Sequence, residues 1–285
     1  MNGQPDKRRF FRRPLSIFSH PPAHEAREPV VLVNGLAEQA ESWFANRAYW
    51  SRHFDVKVPE LLVYDGDVLH DHPAAGGEIT VDYLVGRLSN YLDHYVQNPP
   101  YNLVGSSLGA QIILTYAARN PEKVARLVLI GASGLSGEEN LPIVEGVRRS
   151  RYDTLVESVF HSKRFATDSL VDAVATKLQD RRWKKGALRT LRGTVGHSVA
   201  GLLEQVPHPC LAIWGAEDEM ISDVPGSIRA ASRIPLSRQL LLPNCGHAPQ
   251  IEKSRQVNQL VARFLDDRLK TIPKALHPAR FLATS

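Results

Sequence analysis

The chain has 285 residues, 43% of them hydrophobic and 23% charged, with a net charge of +5; this is material for one domain with an insertion, or for two domains. No apolar run is long enough to span a bilayer, and no recognisable nucleic-acid module accompanies the modest positive charge, so nucleic acid is not an expected partner. Cys210 and Cys245 are too few for a disulfide framework, which makes a reducing, cytoplasmic compartment the expectation.

In chain order, Lys7-Arg8-Arg9-Phe10-Phe11-Arg12-Arg13 is basic, and no apolar stretch of signal-peptide length follows it. A solvated tail is expected, with a weak contact to an anionic membrane as the alternative. The only room for a strand ahead of Val30 is at Leu15 to Ser19. Further on, Tyr101 to Val104 reads as a short buried strand and Leu108 to Arg119 as a helix. Gly105-Ser106-Ser107-Leu108-Gly109 therefore falls on a strand-turn-helix junction, the setting that a G-x-S-x-G nucleophile turn requires. Its glycines let strand and helix approach without a clash. Taken alone, the motif is equally a helix-capping serine in a glycine turn.

Between Leu135 and Glu204 the strand pattern stops and helical spacing takes over, notably over Pro142 to Phe160, Ser169 to Trp183 and Ala187 to Gln205. An insertion of this size packs over the carboxyl ends of the sheet strands, where ligands bind, and so roofs a pocket. Val144, Val147, Leu155, Val159 and Phe160 are expected to face the core or that pocket. Arg181 to Arg192 carries six basic residues and no acidic one. It reads as a solvated helix face, with guidance of an anionic substrate or a membrane surface as the sharper alternative.

After this insertion Pro209 to Trp214 reads as a buried strand, and Asp218 emerges at its carboxyl end. Gln239 to Leu242 is another apolar run, and His247 follows it in a Pro-Asn-Cys-Gly-His loop. Strands alternating with helical segments predict an α/β fold, a mostly parallel sheet covered by helices on both faces with a helical cap insertion. Ser107, Asp218 and His247 then stand at three strand ends in the order nucleophile, orienting carboxylate, base.

With these residues in place, the sequence resembles the α/β-hydrolase family, in its serine branch with a helical cap, from about Val30 to Leu265. The resemblance implies a strand at Pro29 to Leu36 ending in the oxyanion motif, a second at Phe54 to Leu61, a third at Arg126 to Gly134, and a final helix at Ser254 to Leu269. It divides the chain into a basic extension (1–28), a core (29–134 and 206–269), a cap (135–205) and a carboxyl-terminal extension (270–285). It also implies cleavage of a small-molecule carboxylic ester or related acyl bond through an acyl-enzyme, without cofactor or metal. The backbone N–H groups of Leu36 and Leu108 would form the oxyanion hole.

Departures from the family pattern are Asn34 for the usual His, Ser106 for a frequent His, Glu60 for Asp, and a segment at 62–77 without the glycine-spaced loop. A serine at the elbow argues against the epoxide-hydrolase and dehalogenase branches, which use Asp there. Haloperoxidases, carbon-carbon-bond hydrolases and acyltransferases share the triad, and some members of the fold only bind ligands; these readings stay open. Among rival residues, Glu217 is expected to face solvent and Asp65 and Asp67 follow the wrong strand. His70-Asp71-His72 lacks a further ligand at metal-site spacing, and His161 and His197 read as surface or packing residues.

Overall fold

The computed structural model describes residues 27–38, 40–61, 77–136, 151–266 and 280–282. The basic tail, Leu15 to Ser19, the segment 62–76 with Asp65, Asp67 and His70 to His72, and Val144 and Val147 lie outside the described residues.

Runs of Val, Ile and Leu without polar alternation form strands that are covered on both faces. Every residue of β1 (Pro29–Val33), β3 (Tyr101–Ser106) and β5 (Cys210–Gly215) is buried. With β2 (Asp55–Lys57), β4 (Val124–Ile130), β6 (Ser237–Leu242) and β7 (Arg280–Leu282) they make one sheet of seven strands in the order β2-β1-β3-β4-β5-β6-β7. The first six run parallel, and β7 pairs antiparallel with β6 at the edge. The stretch after 269, expected as a simple extension, thus supplies an edge strand. β2 is shorter than the expected Phe54 to Leu61 because Pro59, which has no N–H, cannot extend a ladder.

Two apolar layers flank the sheet. One face is covered by the 3-10 turn Ala40–Trp43, α1 (Phe44–Trp50) and the last helix, through Trp43, Trp50, Val257, Val261 and Leu265. On the other lie α2 (Val81–Tyr95) and α3 (Leu108–Arg119). Sequence reading passed over α2, although Val81, Leu84, Val85, Leu88 and Leu92 make one buried stripe and the Thr80 side chain caps its start by accepting from the Tyr83 N–H.

Between β4 and β5 the described residues form α4 (Tyr152–Val159), α5 (Asp168–Gln179) and α6 (Arg181–Thr194), with a short 3-10 turn at Ala200–Gln205. The expected break between Trp183 and Ala187 is corrected to Asp180. Its carboxylate accepts from the N–H groups of Arg182 at 2.7 Å and Trp183 at 2.9 Å, which ends one helix and starts the next. Nor is the basic stretch on α6 uniformly solvated: Arg181, Arg182, Lys185 and Arg192 are exposed, but Arg189 is buried and its Nε donates to the Gly77 carbonyl. Leu155 and Phe160 are buried as expected. Downstream come α7 (Val224–Ala231), the single turn α8 (Pro249–Glu252) and α9 (Ser254–Leu265). The final helix stops at Leu265 rather than Leu269, because Asp266 turns extended at φ −129°, ψ 112°.

Candidate active site

Ser107 joins β3 to α3 with φ 50° and ψ −116°, a conformation costly for a residue with a side chain. The turn is held because the Ser107 N–H donates to the Ile130 carbonyl at 2.9 Å and the Ser107 carbonyl accepts from Ala110 at 3.0 Å. Both motif glycines are sterically required. A Cβ on Gly105 would lie 2.5 Å from the Gly109 oxygen, and one on Gly109 would lie 2.2 Å from the Val33 oxygen.

Asp218 follows β5, and its Oδ1 accepts from the N–H groups of Met220 at 2.8 Å and Ile221 at 3.0 Å. This tight turn aims Oδ2 at Nδ1 of His247, 2.8 Å away. The carboxylate side chain is wholly buried and the imidazole is 8% exposed. Gly131, at φ 51°, leaves the space the histidine needs: a Cβ there would meet the His247 carbonyl oxygen at 2.8 Å and Nδ1 at 3.2 Å. Glu217 is exposed as expected, yet its Oε2 accepts from the Cys245 N–H at 2.9 Å and so fixes the histidine loop.

Sequence reading missed Glu252. This buried residue on α8 accepts from the Gly246 N–H at 2.6 Å, from His161 at 3.3 Å and from Ser162 at 3.0 Å. Beside it the His247 N–H donates to the Val159 carbonyl at 2.9 Å. The histidine loop is therefore stitched to the end of α4. The His161 side chain is exposed and His197 is half-buried, which agrees with the surface or packing role expected for both.

Two of the departures from the family pattern make separate sets of contacts. Asn34 accepts the Trp43 indole N–H at 2.6 Å. Ser106 donates to Glu38 Oε1 at 2.9 Å, while Glu38 Oε2 accepts from the Gly35 N–H at 2.8 Å. Burial pushes the Glu38 carboxyl above the usual carboxylate range, against the opposing pull of Gly35, Ser106 and His247. Burial also pushes the Cys210 and Cys245 thiols up to about 12, and both are free.

Ser107, Leu36, Leu108, Glu38 and His247 line one cavity of about 200 Å³. It shares Leu36, Leu155, Val174, Leu191 and Ile251 with a neighbouring chamber of about 490 Å³, whose wall is completed by Leu178, Trp183 and Leu188. Lys177, on the chamber, is the only lysine or arginine among the described residues lining either space. Among the described residues no group of three or more His, Cys, Asp or Glu is placed to hold a metal ion. Nor is any described helix long and apolar enough to cross a membrane.

A parallel sheet with a strained serine turn after one strand and a carboxylate-histidine pair beyond two others defines a family-level architecture. Residues 30–260 match the model of the alpha/beta hydrolase family, and the chain belongs to that family. The chain is 27% identical to the dihydrolipoyllysine-residue acetyltransferase component of an acetoin cleaving system from Pseudomonas putida, over 85% of this chain but only 64% of that protein's length. It is 21% identical to human monoacylglycerol lipase ABHD6, over 86% of this chain and 76% of the lipase. The solved structure of a meta-cleavage product hydrolase from Pseudomonas fluorescens IP01 superposes with a TM-score of 0.74 at 20% identity, covering 85% of this chain and 92% of that one. At that identity the superposition speaks for the fold.

Proposed function

We propose that this chain is a serine-dependent hydrolase that cleaves neutral carboxylic esters, or related acyl compounds, bearing a long apolar group. The observation that carries the reading is the 2.8 Å bond between His247 Nδ1 and the buried Asp218 carboxylate, in a protein whose strained serine turn opens on the same cavity as the histidine. Bonded in this way, Nδ1 keeps its proton and the second ring nitrogen is basic. His247 then takes the Ser107 hydroxyl proton as Oγ attacks the acyl carbon, and returns it to the leaving alkoxide as the ester C–O bond breaks. Water repeats the cycle and releases the acid. The N–H groups of Leu36 and Leu108 receive the negative charge of the tetrahedral intermediate; losing one such donor typically costs about 3 kcal/mol of transition-state stabilisation.

The described part of the cap, 151–205, acts as the roof over the strand ends of the core. Its α4, α5 and α6 side chains supply most of the chamber wall, which suits an acyl or alkyl chain. The wall carries one lysine, Lys177, and one glutamate, Glu41, and is otherwise uncharged, which speaks for a neutral substrate. Two free, buried thiols fit a cytoplasmic setting.

Intact-mass analysis after treatment with a fluorophosphonate, beside Ser107→Ala, tests the reading. One adduct, absent from the variant and accompanied by turnover of p-nitrophenyl esters, is the expected result. Absence of both adduct and turnover in folded protein would leave a binding protein of the same fold.

A further inference from the structure

Glu38 is a half-buried acid on the wall of the cavity that also holds Ser107 and His247, and proton transfer between Ser107, His247 and Asp218 does not use it. It lies three residues beyond Gly35 and folds back onto it: the Gly35 N–H donates to Oε2 at 2.8 Å, and the Glu38 N–H donates to the Gly35 carbonyl at 3.2 Å. The turn closed by this pair contains Leu36 and also Ala37, held in the left-handed region at φ 63°. A turn with a non-glycine residue in that region persists only where its surroundings hold it. Its other oxygen, Oε1, accepts from the Ser106 hydroxyl at 2.9 Å, with Gln250 Nε2 at 3.4 Å beside it. Gln250 Nε2 in turn donates to Ser106 Oγ at 3.2 Å.

The partners of this one carboxylate lie on three different segments. Gly35 precedes Leu36, Ser106 precedes Ser107, and Gln250 stands three residues after His247. Loop and elbow are also in van der Waals contact, since a Cβ on Gly35 would lie 3.0 Å from Ser107 Cβ and 3.2 Å from Glu38 Cδ. A carboxylate taken partly out of water is a costly way to close a turn. Charged groups with such a cost concentrate where local geometry serves chemistry.

We propose that Glu38 is the positioning residue of the oxyanion loop, holding the Leu36 N–H at a fixed place relative to the Leu108 N–H and Ser107 Oγ. The inference rests on the hydrolase reading above. Glu38 acts through Gly35 and Ser106, whose N–H and hydroxyl it accepts on its two different oxygens at 2.8 and 2.9 Å. Glutamine keeps the size of the side chain but turns one of its two acceptor oxygens into a donor: placed at Gly35 it loses that bond, and placed at Ser106 it reverses the bond and sets two amide donors, its own and that of Gln250, side by side. Small displacements of catalytic groups cost on the order of a hundredfold in rate.

The test uses the full chain, with kcat and KM on a p-nitrophenyl ester measured for wild type, Glu38→Gln and Ser106→Ala. It is paired with Ki for a trifluoromethyl ketone of the same acyl chain, whose adduct with a serine places an oxyanion in the hole, and with Ki for the plain methyl ketone. In Glu38→Gln we expect kcat to fall about 10- to 100-fold with KM within about threefold. The Ki of the trifluoromethyl ketone should rise by the same factor as kcat/KM falls, while the methyl ketone binds as before. Ser106→Ala should show the same pattern at smaller size, and it carries the test if Glu38→Gln does not fold. A folded Glu38→Gln protein with kcat and trifluoromethyl-ketone Ki within twofold of wild type overturns the inference. Equal weakening of both ketones also overturns it, because that marks a generally disturbed pocket. A wild-type protein that neither hydrolyses esters nor takes the fluorophosphonate removes the hydrolase reading itself, and this inference with it.

Discussion

His247 Nδ1 and Asp218 Oδ2 lie 2.8 Å apart, and the second carboxylate oxygen is occupied by the N–H groups of Met220 and Ile221. The aspartate is thereby held against the imidazole with no freedom to choose another partner. Asp218→Asn keeps an oxygen for the two backbone donors but presents an amide to Nδ1, which favours the wrong tautomer. Turnover is expected to fall on the order of 10³- to 10⁴-fold with the melting temperature little changed. Steady-state kinetics and thermal melting on the same preparation check this; a mild kinetic effect would show that another acid serves His247.

The elbow glycines make a different prediction, about folding rather than chemistry. A methyl group on Gly109 would overlap the Val33 oxygen, with a separation of only 2.2 Å, and the clash is with backbone of a central strand. Gly109→Ala should therefore cost at least about 3 kcal/mol, beyond the usual range for overpacking, or give insoluble protein. Gly201, where an added Cβ meets nothing within 4 Å, is the matched control: Gly201→Ala should leave the urea midpoint near wild type.

The elbow was legible in the sequence because motif, strand and helix are contiguous, so Ser107 and its two glycines could be placed from neighbours alone. Asp218 and His247 were legible from their places at strand ends. Glu38, Gln250 and Glu252 were not, because nothing near them in sequence distinguishes them from solvated polar residues. Their distant partners become neighbours only when the ends of β1, β3 and α4 meet α8. The break between α5 and α6 at Asp180 could have been found, since an aspartate just before a helical run is a capping signal. Chain-local signals thus gave the serine, carboxylate and histidine of the candidate site, and the supports that hold them needed the fold.

Glu252 carries the next prediction. Its carboxylate satisfies three backbone donors, Gly246 on the histidine loop and His161 and Ser162 after α4. Glu252→Ala leaves these donors without their acceptor, at about 1–3 kcal/mol for each that stays buried. The melting temperature should drop by several degrees. Limited proteolysis should cut first near residues 159–162, where the stitch is lost. Unchanged melting and cleavage elsewhere would mean that the His247 N–H bond to Val159 alone holds the two segments together.

Glu38 gives a pH-dependent stability with a definite sign. Its carboxyl is raised by burial, so the folded chain holds this proton more tightly than the unfolded chain. The contribution to stability is full below the unfolded carboxylate range and is lost as pH rises through the folded value. Glutamine cannot lose a proton. The stability of Glu38→Gln relative to wild type should consequently improve as pH rises from acid towards neutral. Urea unfolding of both proteins across that range checks the slope, and a difference that shrinks with rising pH would contradict it.

The apolar chamber sets the last expectation, a dependence of rate on chain length. If the substrate's apolar group enters the space of about 490 Å³ beside Leu155, Val174 and Leu191, each added CH₂ leaves water on binding. Burial of one CH₂ is worth about 0.8 kcal/mol, so kcat/KM for a series of p-nitrophenyl esters should climb about fourfold per carbon until the chamber is filled. Ala173 stands on the chamber rim, on the exposed side of α5, where a larger side chain disturbs no core packing. Ala173→Trp should narrow the space and lower kcat/KM for long-chain esters by about tenfold, leaving the acetate ester within twofold of wild type. The comparison isolates the chamber because both esters meet the same serine and histidine. Equal loss on acetate and long-chain esters would move the binding of the apolar group elsewhere in the protein.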